Sequence, residues 1–156
     1  MAQVLVIDDD ATYRSILREF IEKAGHSVIE AENADDGVSI FLKEKIDLVI
    51  SDLMMPVKSG MDLLHELQRI DPKVLFILVT GYPTIDTATE SIKAGAYDFL
   101  VKPVEMNQLT AVMKRALKTL ELKSNLTTIR GVNVALLLSV PLWIFAGYMV
   151  KVLLMD

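Results

Sequence analysis

Apolar residues fall in four short unbroken runs: Val4-Leu5-Val6-Ile7, Leu48-Val49-Ile50, Leu75-Phe76-Ile77-Leu78-Val79 and Phe99-Leu100-Val101. Between them lie longer stretches in which apolar residues recur every three or four positions. Unbroken runs of three to five, set between helix-like stretches, mark parallel strands buried on both faces. The pattern predicts strands at 3–7, 27–31, 47–51, 74–79 and 98–101. It predicts helices at 11–24, 34–44, 59–70, 84–94 and 105–123. Punctuation agrees. Asp10 and Asn33 suit helix N-caps, Gly25 ends the first helix, and Pro56 with Gly60 breaks the chain after the third strand. Asp35 and Asp36 suit the start of the second helix, where acids meet free N–H groups. Pro83 and Pro103 follow strands, where no ladder hydrogen bond is lost. Regular alternation of strand and helix implies right-handed crossovers and an α/β parallel sheet.

Five polar residues close or just follow these runs: Asp8, Asp9, Asp52, Thr80 and Lys102. In an open parallel sheet the ligand site lies outside the carboxyl ends of the strands, so all five are expected to converge there. Three carboxylates suit a hard cation with oxygen ligands, with Mg²⁺ the first choice. A threonine and a lysine beside them offer donors to an anion, and phosphoryl groups are the usual anion on Mg²⁺. Neither a Gly-x-x-x-x-Gly-Lys loop nor a Gly-x-Gly-x-x-Gly turn is present to cradle a nucleotide. The remaining chemistry is an aspartate that itself takes the phosphoryl group as an acyl phosphate.

Val-Ile-Asp8-Asp9-Asp10, Ser-Asp52-Leu-Met-Met-Pro56, Val79-Thr80-Gly81 and Phe99-Leu-Val-Lys102-Pro103 occur in that order. Together they resemble the receiver domain of two-component response regulators, over about residues 1 to 122. The resemblance implies a flavodoxin-like fold of five parallel strands in the order 2-1-3-4-5. It also implies roles. Asp52 is the expected phospho-acceptor; Asp9 binds Mg²⁺ directly, Asp8 through water, and the Met54 carbonyl completes the protein ligands. Lys102 pairs with Asp52 and then with the phosphoryl oxygens. Thr80 donates its hydroxyl to the phosphoryl group, Gly81 leaves room beside it, and Phe99 matches the switch aromatic. The donor is a sensor histidine kinase or phosphotransfer protein. A downstream protein is expected on the face made by helix 84–94, strand 98–101 and helix 105–123. No enzyme activity on a separate substrate is expected.

Helix 105–123 carries Met106, Leu109, Met113, Ala116 and Leu120 at intervals of three and four, the stripe needed to cover a sheet. Its other face carries Lys114, Arg115 and Lys118. The composition then changes. Residues 123–131 read as a polar linker, and Val132 to Val150 run nineteen residues without a charge. A helix of that length, at about 1.5 Å per residue, nearly matches the bilayer's hydrocarbon thickness. Its ten Leu, Ile, Val and Phe residues contribute roughly −3 to −6 kcal/mol toward insertion. A membrane helix is therefore expected at 132–154. Lys114, Arg115, Lys118, Lys123 and Arg130 precede the uncharged run 132–150 and only Lys151 follows that run, so the receiver is expected on the cytoplasmic face of the membrane.

The net charge of −5 and the pI near 5.0 argue against nucleic acid as a partner. Without cysteine there is no disulfide or thiolate metal site. His65-Glu66-Leu67 is similar to the phospho-acceptor helix of histidine kinases, but it lies on a receiver helix and reads as an exposed histidine. Two rival readings remain. The first is a soluble oligomeric interaction module, a homodimer included, whose hydrophobic tail packs with itself or a partner. The second is an α/β phosphatase using Asp8 or Asp52 on external phosphoesters.

Overall fold

The computed structural model describes residues 1–120 and 122. Its elements alternate strictly: β1 (Gln3–Ile7), α1 (Ala11–Lys23), β2 (Ser27–Ala31), α2 (Ala34–Lys43), β3 (Leu48–Asp52), α3 (Gly60–Ile70), β4 (Phe76–Thr80), α4 (Ile85–Lys93) and β5 (Asp98–Val101). Residues 106–120 are again helical, and we call them α5. The five strands form one parallel sheet in the order β2-β1-β3-β4-β5. This is the flavodoxin-like α/β arrangement, and it reverses direction between β1 and β3.

Burial follows from that order. Every residue of β3 and β4 is buried, as is β1 beyond Gln3, because these strands have neighbours on both edges and helices on both faces. The edge strands β2 and β5 are mostly half-buried. One core cluster joins Leu5, Ile7, Val49, Phe76 and Leu78 of the sheet to Leu63, Leu64 and Leu67 of α3. On α5, Leu109, Met113 and Ala116 are buried as the stripe predicts, and Val112 joins them.

Helix starts are set by side chains. Asp10 caps α1 and Asn33 caps α2, each accepting from backbone N–H groups of the first turn. Ser59 and Asp62 form a capping box on α3, and Thr84 and Thr87 form another on α4. The helices thus begin one residue later than expected, at Gly60 and Ile85, with Ser59 and Thr84 outside as caps.

Two strand ends differ from expectation in a way that matters. β3 and β4 each continue one residue further, so Asp52 and Thr80 are the last residues of their strands. Asp52 is in register with Val79, and Thr80 with Val101, because the ladder is still being made there: Leu53 N–H donates to Val79 O at 2.7 Å. β4 also begins later than expected, at Phe76.

The connection from β3 to α3 is tight. A Cβ on Gly60 would lie 2.2 Å from the backbone oxygen of Asp52 and 2.8 Å from Leu78 Cδ2, so only glycine fits. Gly60 N–H donates to Leu53 O at 3.0 Å. Within this connection Val57 has φ of 69° and is fully exposed, an uncommon conformation for a β-branched residue.

The expected linker at 123–131 and membrane helix at 132–154 lie outside the described residues, as does the end of the last helix. Among the described residues, no helix is long and apolar enough to cross a membrane.

Candidate functional site

The carboxyl ends of β1, β3, β4 and β5 deliver the site. Asp8 and Asp9 follow β1, Asp52 ends β3, Thr80 ends β4, and Lys102 follows β5. Carboxylate oxygens of Asp8, Asp9 and Asp52 lie within 4.8 Å of one another, the spacing of ligands around one cation. Asp8 and Asp52 are buried, whereas Asp9 is exposed and opens the cluster to solvent.

Lys102 Nζ donates to Asp8 Oδ2 at 2.6 Å and lies 3.4 Å from Asp52 Oδ1. The expected pairing with Asp52 is therefore the longer of two contacts. Asp8 is the nearer partner because its other oxygen is already fixed: Oδ1 accepts from Asp10 N–H at 2.9 Å, which turns Oδ2 toward the ammonium. Asp52 Oδ1 is left buried without a hydrogen-bond partner. A buried carboxylate oxygen in that condition is costly unless something binds it.

The electrostatics reflect this crowding. Burial pushes the Asp52 carboxyl above its ordinary range; the Lys102 charge opposes that and the Asp8 charge reinforces it, leaving a net rise. Burial also pulls the Lys102 ammonium down. The hydrogen bond and charge of Asp8, with the charge of Asp52, outweigh it, so its pKa is raised and it stays protonated.

Thr80 is fully buried, and its Oγ1 accepts from Tyr82 N–H at 3.2 Å. That bond leaves the hydroxyl proton free, and no hydrogen bond to Asp52 is formed among the described residues. A Cβ on Gly81 would meet nothing within 4 Å. Met54 sits on the exposed connection two residues past Asp52. Phe99 is half-buried and packs on the core cluster. His65 is exposed, and His26 Nδ1 accepts from Ala2 N–H, so neither histidine joins the site.

Two neighbours were not anticipated. Tyr13, in the first turn of α1, places its ring 4.3 Å from Lys102 Nζ, and its hydroxyl accepts from Val104 N–H at 3.3 Å. Arg14 donates to the backbone oxygen of Asp8. Both stand one turn past the acidic motif, and that proximity was the only sequence signal available.

Fold and site together define a signalling receiver: a doubly wound sheet with three aspartates, a threonine and a lysine at its carboxyl edge. Residues 4–114 match the response regulator receiver domain family, and the chain belongs to it. It is a receiver domain of the two-component kind, which implies phosphoryl acceptance on aspartate. The chain is 35% identical over 117 residues to the transcriptional regulatory protein GlrR of Escherichia coli K12, covering 75% of this chain and 26% of that one. It is 31% identical over 116 residues to the response regulator protein PilR of Pseudomonas aeruginosa, covering 74% and 26%. A response regulator receiver domain protein from Clostridium thermocellum shares the fold with a TM-score of 0.75 and 35% identity, over 78% of this chain and 98% of that one. This chain thus spans about a quarter of the length of the curated relatives it matches.

Proposed function

We propose that Asp52 accepts a phosphoryl group from a phosphohistidine on a sensor kinase or phosphotransfer protein. The carrying observation is the buried Asp52 Oδ1, without a hydrogen bond, beside Lys102 and the two other aspartates. A carboxylate oxygen of Asp52 attacks phosphorus, the phosphorus–nitrogen bond breaks, and the imidazole leaves with the electron pair. Lys102 neutralises charge on the phosphoryl oxygens, and the free proton of Thr80 is available to one of them.

The cluster fits a divalent cation on the chemistry of its donors: three carboxylates with oxygens close together, one of them unsatisfied. Asp8, Asp9, Asp52 and the Met54 carbonyl would hold Mg²⁺. Bound there, it supplies positive charge to the phosphoryl oxygens. Asp9 borders a groove of about 430 Å³, also lined by Asn33, Pro56, Val57 and Lys58. There is no separate substrate turnover in this reading, and the output is a changed surface on α4, β5 and α5, with Thr80 and Phe99 as its switch.

The rest of the reading concerns the protein around the receiver. The uncharged run at 132–150 supports attachment to the cytoplasmic face of a membrane. The expected lack of a nucleic-acid partner is not sustained. It rested on acidity, yet GlrR is by name a transcriptional regulator. Acidity of the receiver says nothing about segments beyond it.

A small phosphodonor with Mg²⁺ should label the wild type, and Asp52→Asn should remain unlabelled. Labelling that persists in Asp52→Asn overturns the assignment, and phosphate release from a general phosphoester favours a phosphatase.

A further inference from the structure

The first turn of α1 closes a ring of contacts around the site. Asp8 Oδ1 accepts from Asp10 N–H, and the Asp10 carboxylate accepts from Tyr13 N–H at 3.2 Å. The Tyr13 ring lies beneath Lys102 Nζ at 4.3 Å, and Lys102 returns to Asp8 Oδ2. A second contact fastens the same tyrosine to the far side of the lysine, where its hydroxyl accepts from Val104 N–H, two residues on.

We propose that Tyr13 is a positioning residue for Lys102, holding both its ammonium and the backbone that follows it. The inference rests on the reading of Asp52 as the acceptor. Lys102 follows a short edge strand, and its side chain has four rotatable bonds. Asp8 alone is a single point of attachment, and one that a bound cation competes for. The ring is a further attachment besides Asp8 and the longer contact to Asp52, and a bound cation would not draw it away as it draws the carboxylates, because the ring is uncharged while its face attracts the ammonium. Burial keeps the Tyr13 phenol protonated, so the contact is between cation and ring rather than an ion pair. When Asp8 and Asp52 turn to a cation and a phosphoryl group, Tyr13 would keep Lys102 aimed at the transferring oxygens.

The roles of ring and hydroxyl separate in two variants. Tyr13→Phe keeps the ring under Lys102 and loses the acceptor for Val104 N–H; Tyr13→Leu loses both. Phosphorylation of the full chain by acetyl phosphate with Mg²⁺ should be slowest in Tyr13→Leu, by about threefold to tenfold, with Tyr13→Phe intermediate. Mg²⁺ affinity should change less than the rate, since no proposed ligand touches the tyrosine. In a Lys102→Met background, Tyr13→Leu should cause no further slowing, because a residue acting through Lys102 has nothing left to position. A full additional loss there would show a merely structural role and overturn the proposal, as would equal rates in wild type, Tyr13→Phe and Tyr13→Leu. A readout without phosphorylation keeps the two claims apart. The Lys102 Hε resonances should be shifted upfield by the ring in wild type and Tyr13→Phe, and return to ordinary values in Tyr13→Leu. Unshifted Hε resonances in wild type refute the positioning role. Labelling that survives Asp52→Asn, with the ring shift intact, instead refutes the acceptor assignment.

Discussion

At the scale of single residues, the site is held together by conflict. Asp8 and Asp52 are buried within reach of each other, and one ammonium cannot satisfy both. Because the folded Asp52 carboxyl titrates above its ordinary value of 3.8, the folded chain binds more protons than the unfolded one just above that value. Stability contributed by this group therefore falls as pH rises through that window, and its ionised form is a cost at neutral pH. Asp52→Asn should melt higher than wild type at pH 7 in metal-free buffer, and the difference should shrink below pH about 4. Thermal melts at the two pH values check this; an equal gap at both would place its origin elsewhere. The two aspartates after β1 should also differ. Both oxygens of Asp8 are engaged, by Asp10 N–H and Lys102, whereas the exposed Asp9 carboxylate has no partner among the described residues. Asp9→Ala should weaken Mg²⁺ by at least about tenfold, a loss that even an outer ligand partner can cause, and by more than Asp8→Ala does. Titration of Mg²⁺ against chemical shifts would measure it. Equal affinities would remove the direct and water-bridged distinction.

At the scale of elements, the connection from β3 to α3 carries the most information per residue. Gly60→Ala would drive a Cβ into the backbone oxygen of Asp52, which cannot rotate away, so a loss of about 1–3 kcal/mol is expected with a disturbed acceptor. Val57 presents the opposite case. Its positive φ costs about 1–3 kcal/mol, while glycine there adds up to about 1 kcal/mol of unfolded-state entropy. Val57→Gly should therefore be neutral to stabilising, and urea denaturation of both variants tests the pair. Lys58 next to it reaches Asp35 of α2 at 2.5 Å and Glu66 of α3 at 2.8 Å, anchoring the connection across two helices. The alternation of elements, the caps at Asp10 and Asn33, and the five polar residues at strand ends were all legible in the sequence, because each is written in a local pattern. The strained φ of Val57, the choice of Asp8 over Asp52 by Lys102, and the reach of Tyr13 were not. They depend on how strand ends and helix starts meet in three dimensions, which no spacing encodes.

At the scale of the whole molecule, a receiver is joined to a segment of different composition. The family match ends at residue 114, and the sheet's covering helix buries Leu109, Val112, Met113 and Ala116. A chain ending at Ser124 should be folded, soluble and phosphorylated. The full chain should resist alkaline extraction from membranes if residues 132–150 insert, and a monodisperse full chain in detergent-free buffer would favour the packed oligomer instead. Neither outcome alters the receiver's chemistry, which turns on one bond. An acyl phosphate is reduced by borohydride to the alcohol, so an aspartyl phosphate becomes homoserine. The full chain, phosphorylated with a small donor and Mg²⁺ and then reduced, should yield homoserine at position 52 by peptide mass spectrometry. Homoserine at position 8 or 9, or an unmodified Asp52 in protein that has taken up phosphate, would contradict the account.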